Sequence, residues 1–184
     1  MRRSSPVLCV ACVLAGVLAG PRSHACTAIC LKDKAGWVAA FNHDWIVKDA
    51  LLVTNKRGVS KVAAPVDGDG SHASPVRWTS KYGSVTFNQY GREFPSDGMN
   101  EKGLFVAILL LEKTRWPAPD SRAAVRATQW IQYQLDNSAS VRDVLRNAKR
   151  IQILGGGQPG DLSGFHFLAC DRTGACVTAE GLGG

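Results

Sequence analysis

Residues 26–45 read CTAICLKDKAGWVAAFNHDW, and the fold is decided in this stretch. Two short β-rich runs, 26–32 (CTAICLK) and 37–43 (WVAAFNH), flank Asp33-Lys34-Ala35-Gly36, a turn of the hairpin kind. The spacing predicts a β-hairpin that opens on a cysteine. Cys26 and Cys30, at i and i+4, share one face of the first strand about 13 Å apart, so they cannot pair with each other without a bend.

Upstream of this hairpin the sequence predicts a secretory signal over residues 1–25. Arg2 and Arg3 form a positive start, Pro6 to Gly20 is an apolar core, and Ser23 and Ala25 are the small residues of a cleavage site. The competing reading, a short membrane anchor, suffers from the brevity of the apolar run. Cutting after Ala25 makes Cys26 the first residue of the mature chain, and the protein is expected in the periplasm or secreted. No later apolar run reaches 18 residues, so the mature chain is expected to have no transmembrane segment.

Downstream, Leu51 to Asn55, Arg77 to Ser80 and Ser84 to Phe87 have strand character, with a loop from Pro65 to Pro75. Asp97-Gly98 and Lys102-Gly103 are read as a turn before Leu104 to Leu111, a continuous apolar run expected as a strand buried on both faces. Two helices are expected next. Asp120 or Ser121 caps the first, with Ala124, Ala127, Ile131 and Leu135 on its apolar face. Ser140 with Asp143 starts the second, whose stripe is Val141, Val144, Leu145, Ala148 and Ile151. A Gly/Pro loop from Gly155 to Gly160 leads to a last hairpin, Phe165 to Ala169 and Cys176 to Ala179. Strands, two helices, then strands again make an α+β class, with one domain over 26–184.

The chain of 184 residues is 45% hydrophobic and 20% charged, a globular balance. Its net charge of +7 includes three arginines of the leader, which leaves +4 on the mature part. That charge is scattered, without a basic stripe interleaved with aromatics, so no nucleic acid is expected as partner. A homo-oligomer is compatible with the sequence.

Export changes the meaning of the cysteines. Cys9 and Cys12 leave with the leader, and Cys26, Cys30, Cys170 and Cys176 stay in a compartment that permits disulfides. Cys170 and Cys176 flank a hairpin-like turn, Asp171 to Ala175, and can face each other across it as a disulfide. Their spacings fit zinc ribbons and fingers poorly, and His166 reads as an ordinary strand histidine, so neither metal nor cofactor is predicted.

Cys26 carries the chemistry. An N-terminal cysteine holds a thiol and a free α-amine, whose ordinary pKa of about 7.7–8.0 lets it act as a base near neutral pH. The amine can activate its own thiol and later protonate a leaving amine. Two other readings stay open: a structural or disulfide-bonded cysteine, and a lipid anchor, which Ser23-His24-Ala25 fits poorly.

CTAICLK, FNHDW (Phe41 to Trp45), WTSKYGSV (Trp78 to Val85) and DGMNEKGL (Asp97 to Leu104), in that order, resemble the choloylglycine hydrolase family, most closely its penicillin V acylases. The resemblance implies the N-terminal part of an αββα sandwich of the N-terminal-nucleophile kind, hydrolysis of linear amide C–N bonds through an acyl thioester, and a small N-acyl amide as substrate. It implies Cys26 as nucleophile, Asp44 as the carboxylate that holds the α-amine, and Leu110 at an oxyanion-donor position, where only its backbone N–H can serve. Phe41 and Trp45 are candidates for the substrate pocket; Trp78 is a weaker one. Asp97, Asn100 and Glu101 are read as turn and packing residues.

The sequence departs from the family pattern at Phe41, where the family usually has an arginine. A guanidinium beside a thiol favours the thiolate, which an apolar ring cannot do. Family members are about twice as long, and their later half supplies further site residues, so the chain is expected to stop short of it. Three readings result: a working amidase, a catalytically impaired portion of one, and an exported binding or anchored protein.

Overall fold

The structure, a computed structural model, describes residues 26–34, 36–45, 47, 49–64, 73–92, 94–111, 113–155 and 164–182. The expected leader over 1–25, most of the 65–75 loop and most of the 155–160 loop lie outside the described residues. Strands β1 (Thr27–Asp33) and β2 (Gly36–Asn42) form the expected antiparallel hairpin. Gly36 sits at a φ of +148°, open to glycine, and its N–H donates to the Asp33 carboxylate at 3.1 Å. The turn chemistry read from the sequence is thus what closes it.

The remaining elements are β3 (Leu51–Asn55), β4 (Ser60–Val62), β5 (Arg77–Thr79), β6 (Ser84–Asn88), β7 (Pro95–Asn100), β8 (Phe105–Leu110), β9 (Ala123–Arg126), helices α1 (Ala127–Asn137) and α2 (Val141–Ala148), then β10 (Ile151–Leu154), β11 (Phe165–Cys170) and β12 (Cys176–Ala179). Six strands make one antiparallel sheet in the order β12-β11-β8-β7-β6-β3. Strands β4 and β5 pair antiparallel, and β9 and β10 pair in parallel. The α+β arrangement is the expected one: a helix layer, a sheet, and the β1–β2 hairpin beginning a further β layer. Among the described residues no helix is long and apolar enough to cross a membrane.

Helix α1 lies on one face of the sheet. Trp130, Ile131 and Leu135 are sealed in a core with Leu104, Val106, Val125 and Phe167. Strand β6 turns Ser84, Thr86 and Asn88 towards that face and leaves Val85 and Phe87 outside, the reverse of ordinary amphipathicity. Two further buried polar residues tie elements together. Asn100 donates to the carbonyls of Leu135 and Ser138, and its side-chain oxygen accepts from the N–H groups of Lys102 and Leu104. That uses the whole hydrogen-bonding capacity of the amide, consistent with its reading as a turn and packing residue. Asp136 is fully buried and meets Lys61 Nζ at 2.9 Å, Trp78 Nε1 at 2.7 Å and Gln132 Nε2 at 2.9 Å. Lys61 and Trp78 are cross-strand partners on β4 and β5, so this carboxylate fastens a whole hairpin to α1.

Several expectations are corrected. Asp97-Gly98 is no turn; both lie inside β7, and the chain reverses after Asn100, with Gly103 at φ +77°. A Cβ at Gly98 would come within 2.6 Å of the Val85 carbonyl oxygen, so this glycine serves close packing under α1. The first helix starts at Ala127, not after Asp120 or Ser121. The Asp120 carboxylate is taken by the N–H and guanidinium of Arg122, and the Gln152 amide brackets the Asp120 backbone, which holds this segment extended. Ala124 therefore belongs to β9, and Ile151 to β10 rather than to a helix stripe. Leu145 is largely exposed. The Ser140–Asp143 start of α2 stands: the Ser140 oxygen accepts from Asp143 N–H at 3.3 Å, and Asp143 accepts from Ala139 N–H at 3.1 Å.

Candidate active site

The register of the first hairpin ends at Thr27 opposite Asn42, so Cys26 and His43 are the next positions along. Alternation places Ala28, Cys30, Ala39 and Phe41 on its half-buried face, and Thr27, Ile29 and Val38 on its exposed one. Cys26 is half-buried and continues the inward set. The residues that follow β2 form an aromatic row. The His43 ring lies 5.3 Å from Phe41 and 6.0 Å, stacked, from Trp45, and Trp45 lies 6.1 Å from Phe165 on β11. Trp45 Nε1 donates to the Tyr90 hydroxyl at 2.5 Å, which fixes its plane.

His43 is the hinge of this site. Its Nδ1 is buried with no hydrogen-bond partner among the described residues. Burial holds its pKa below the ordinary histidine value, and the adjacent Asp44 carboxylate opposes that shift. Two cavities meet at its ring. One, of about 300 Å³, is lined by Trp45, Tyr90, Phe94, Ile108 and Phe165; the other, of about 250 Å³, by Phe41, Phe87 and Asp97. Gln89 and Ser96 line both, and Gln89 donates to the Val47 carbonyl at 2.6 Å. Cys26 is not among the described residues lining either cavity. Phe41 and Trp45 thus stand in neighbouring apolar cavities.

The other expected site residues are distributed as follows. Asp44 lies half-buried directly after His43. Leu110 ends β8, opposite Phe165, whose ring faces Trp45. Trp78 is tied to Asp136 and packed edge-on to Tyr133 at 5.5 Å, away from both cavities. Glu101 pairs with Arg57. Cys170 and Cys176 are joined in a disulfide across the β11–β12 hairpin, Cα to Cα 4.1 Å. This bond sits at the far end of β1 from Cys26, beside Cys30, whose thiol pKa is pushed up by burial.

Sequence reasoning missed two groups. The alternation of Phe41, His43 and Trp45, three rings on one side of an extended segment, was a signal for His43. For Asp97 no signal existed, since Asp-Gly reads as a turn. In the structure Asp97 lines the cavity beside Phe41, and burial pushes its pKa up to about 7.

Residues 26–181 match the family described as linear amide C–N hydrolases, choloylglycine hydrolase family. The penicillin V acylase of Pectobacterium atrosepticum is 33% identical over 88 residues, 44% of this chain and 23% of that protein. The solved penicillin V acylase of Agrobacterium tumefaciens superposes with a TM-score of 0.63 at 25% identity, over 86% of this chain and 50% of that one. A cysteine-to-alanine mutant of the conjugated bile acid hydrolase of Clostridium perfringens gives a TM-score of 0.67 at 20% identity, over 85% of this chain and 48% of that one, a likeness of fold. The chain therefore spans about half the length of the solved structures it matches. With the family match running through nearly all of the described residues, this chain belongs to the choloylglycine hydrolase family of linear amide C–N hydrolases.

Proposed function

We propose that this chain carries the nucleophile of an exported amidohydrolase of the penicillin V acylase kind, activated when the leader over 1–25 is removed. The observation that carries this reading is the start of the family match at residue 26, on a cysteine at the inward-facing open end of the β1–β2 hairpin. The freed α-amine of Cys26 takes the thiol proton, and the sulfur attacks the carbonyl of an N-acyl amide. Collapse of the tetrahedral adduct breaks the C–N bond, and the ammonium returns its proton to the departing amine. Water, deprotonated by the same α-amine, then hydrolyses the thioester.

Asp44 orients the α-amine in this scheme. Phe41 and Trp45 offer apolar walls to the acyl group, and the Leu110 backbone N–H serves the oxyanion. Turnover is slow, because leucine brings no side-chain donor, and one such donor is worth about 10²–10³ in rate. Phe41 adds to this, having no charge with which to favour the thiolate.

The test measures amine release from phenoxyacetyl amides by chain beginning at Cys26, by the unprocessed chain, and by Cys26→Ala. Only the first should turn over, with a loss of at least about 10³-fold in the other two. Hydrolysis that survives Cys26→Ala overturns the mechanism. An intact mass with a lipid increment on the N-terminal peptide overturns the exposed-amine reading.

A further inference from the structure

The face of the sheet opposite α1 holds a feature that the amidase reading does not use. Register places Met99, Phe105, Cys170 and Cys176 on that face, and β1 lies across it. The sulfurs of Cys30, Cys170 and Cys176 all lie within 4.8 Å of one another, although only the last two are bonded. β1 is fixed there by independent contacts: Lys32 Nζ donates to the Thr173 carbonyl at 2.6 Å, and the Lys32 stem packs over Gly174 in the turn that the disulfide closes. A free thiol is therefore held against a disulfide by folded structure, and the three residues differ in exposure. Cys170 is sealed, Cys30 is half-buried, and Cys176 is exposed on the edge strand.

We propose that these three residues form an intramolecular exchange centre, in which Cys30 attacks Cys170 Sγ, forms a Cys30–Cys170 disulfide and releases Cys176 as a surface thiol. One S–S bond forms as one breaks. The proton that leaves Cys30 ends on Cys176, and no oxidant or reductant is consumed. Direction follows from exposure: a thiolate leaving at Cys176 is solvated, whereas one leaving at Cys170 would be buried, and the better-stabilised thiolate leaves faster. The exchange moves the covalent link. Before it, β11 is stapled to β12; after it, the hairpin that begins at Cys26 is tethered to the central sheet, and a reactive thiol stands at the edge of the molecule.

The experiment uses the folded full chain without reductant at about pH 8.5, near the ordinary cysteine pKa. Free thiols are alkylated at intervals with isotope-coded iodoacetamide and located by peptide mapping. Label at Cys176 should rise as label at Cys30 falls, at a rate independent of protein concentration, with a linked Cys30–Cys170 peptide appearing. Cys30→Ser should lower Cys176 labelling at least about tenfold. Cys176→Ser, oxidised gently, should form the Cys30–Cys170 bond within one chain. If Cys30 alone stays labelled while Cys170–Cys176 persists, or if Cys176→Ser yields only dithiol or linked dimers, the proposal fails.

Discussion

On the helix side of the central sheet, β6 buries Ser84, Thr86 and Asn88; on the other side the same strand exposes Val85 and Phe87, at 43% and 47%. On the helix side α1, β4 and β5 seal the interior and satisfy the Asn100 amide and the Asp136 carboxylate, while Ser84 Oγ and Asn88 Oδ1 are buried without a hydrogen-bond partner among the described residues. The other side carries apolar side chains that the β1–β2 hairpin covers only in part. It also carries the three sulfurs of the proposed exchange, and Asp97. The larger cavity, lined by Ile108 and Phe165, opens on the helix side at the start of α1. One face of the sheet is sealed by α1 and the other is half open, so a substitution should report which face it strikes.

The largest effect is expected at Asp136. Asp136→Ala leaves the Lys61 ammonium buried beside two unpaired donors, and breaking a buried pair in this way costs about 3–5 kcal/mol. Urea unfolding should show it as a lower midpoint, and a loss under about 1 kcal/mol would break the contrast between the faces. A smaller effect of opposite sign is expected at Asp97. Its folded pKa of about 7 lies above the 3.8 of the free group, so the folded state binds the extra proton between those values. The stability that Asp97 contributes is fullest below about pH 4 and is lost as pH rises towards 7. Asp97→Asn should match the parent near pH 4 and exceed it near pH 8 by roughly 1–3 kcal/mol, seen as diverging unfolding midpoints. The smallest effect belongs to the exposed face of the hairpin. Leu31 is 66% exposed, and Leu31→Ser should change stability by no more than about 0.5 kcal/mol in the same assay. A larger loss there would mean that this face is packed in solution.

What the sequence made legible was whatever is decided locally. The Asp33–Gly36 turn, the Ser140–Asp143 start of α2 and the buried run of β8 each follow from a few neighbouring residues. The start of α1 did not, because Arg122 and Gln152, the latter 32 residues away from Asp120, occupy the groups that a helix would have used. Asp97 was hidden for a similar reason. Asp-Gly favours a turn, but Gly98 is demanded by the approach of Leu135 and the Val85 carbonyl. Cys26, Phe41, Asp44 and Trp45 follow from the sequence as an ordered motif, and the structure places two of them, Phe41 and Trp45, at the cavities. Cys30's place beside the disulfide was not legible, since it depends on how the hairpin lies across the sheet.

The pairing of β8 with β11 has a consequence during synthesis. Phe165 is the partner of Leu110, and the 54 residues between them hold β9, both helices and β10. At about 5–20 residues per second, β8 waits roughly 3–11 s after leaving the ribosome before its second neighbour emerges. Its sequence, FVAILL, is uncharged and free of proline, the composition most prone to pair with another nascent chain. Each new molecule therefore passes through an interval of seconds in which β8 has one edge without its strand partner.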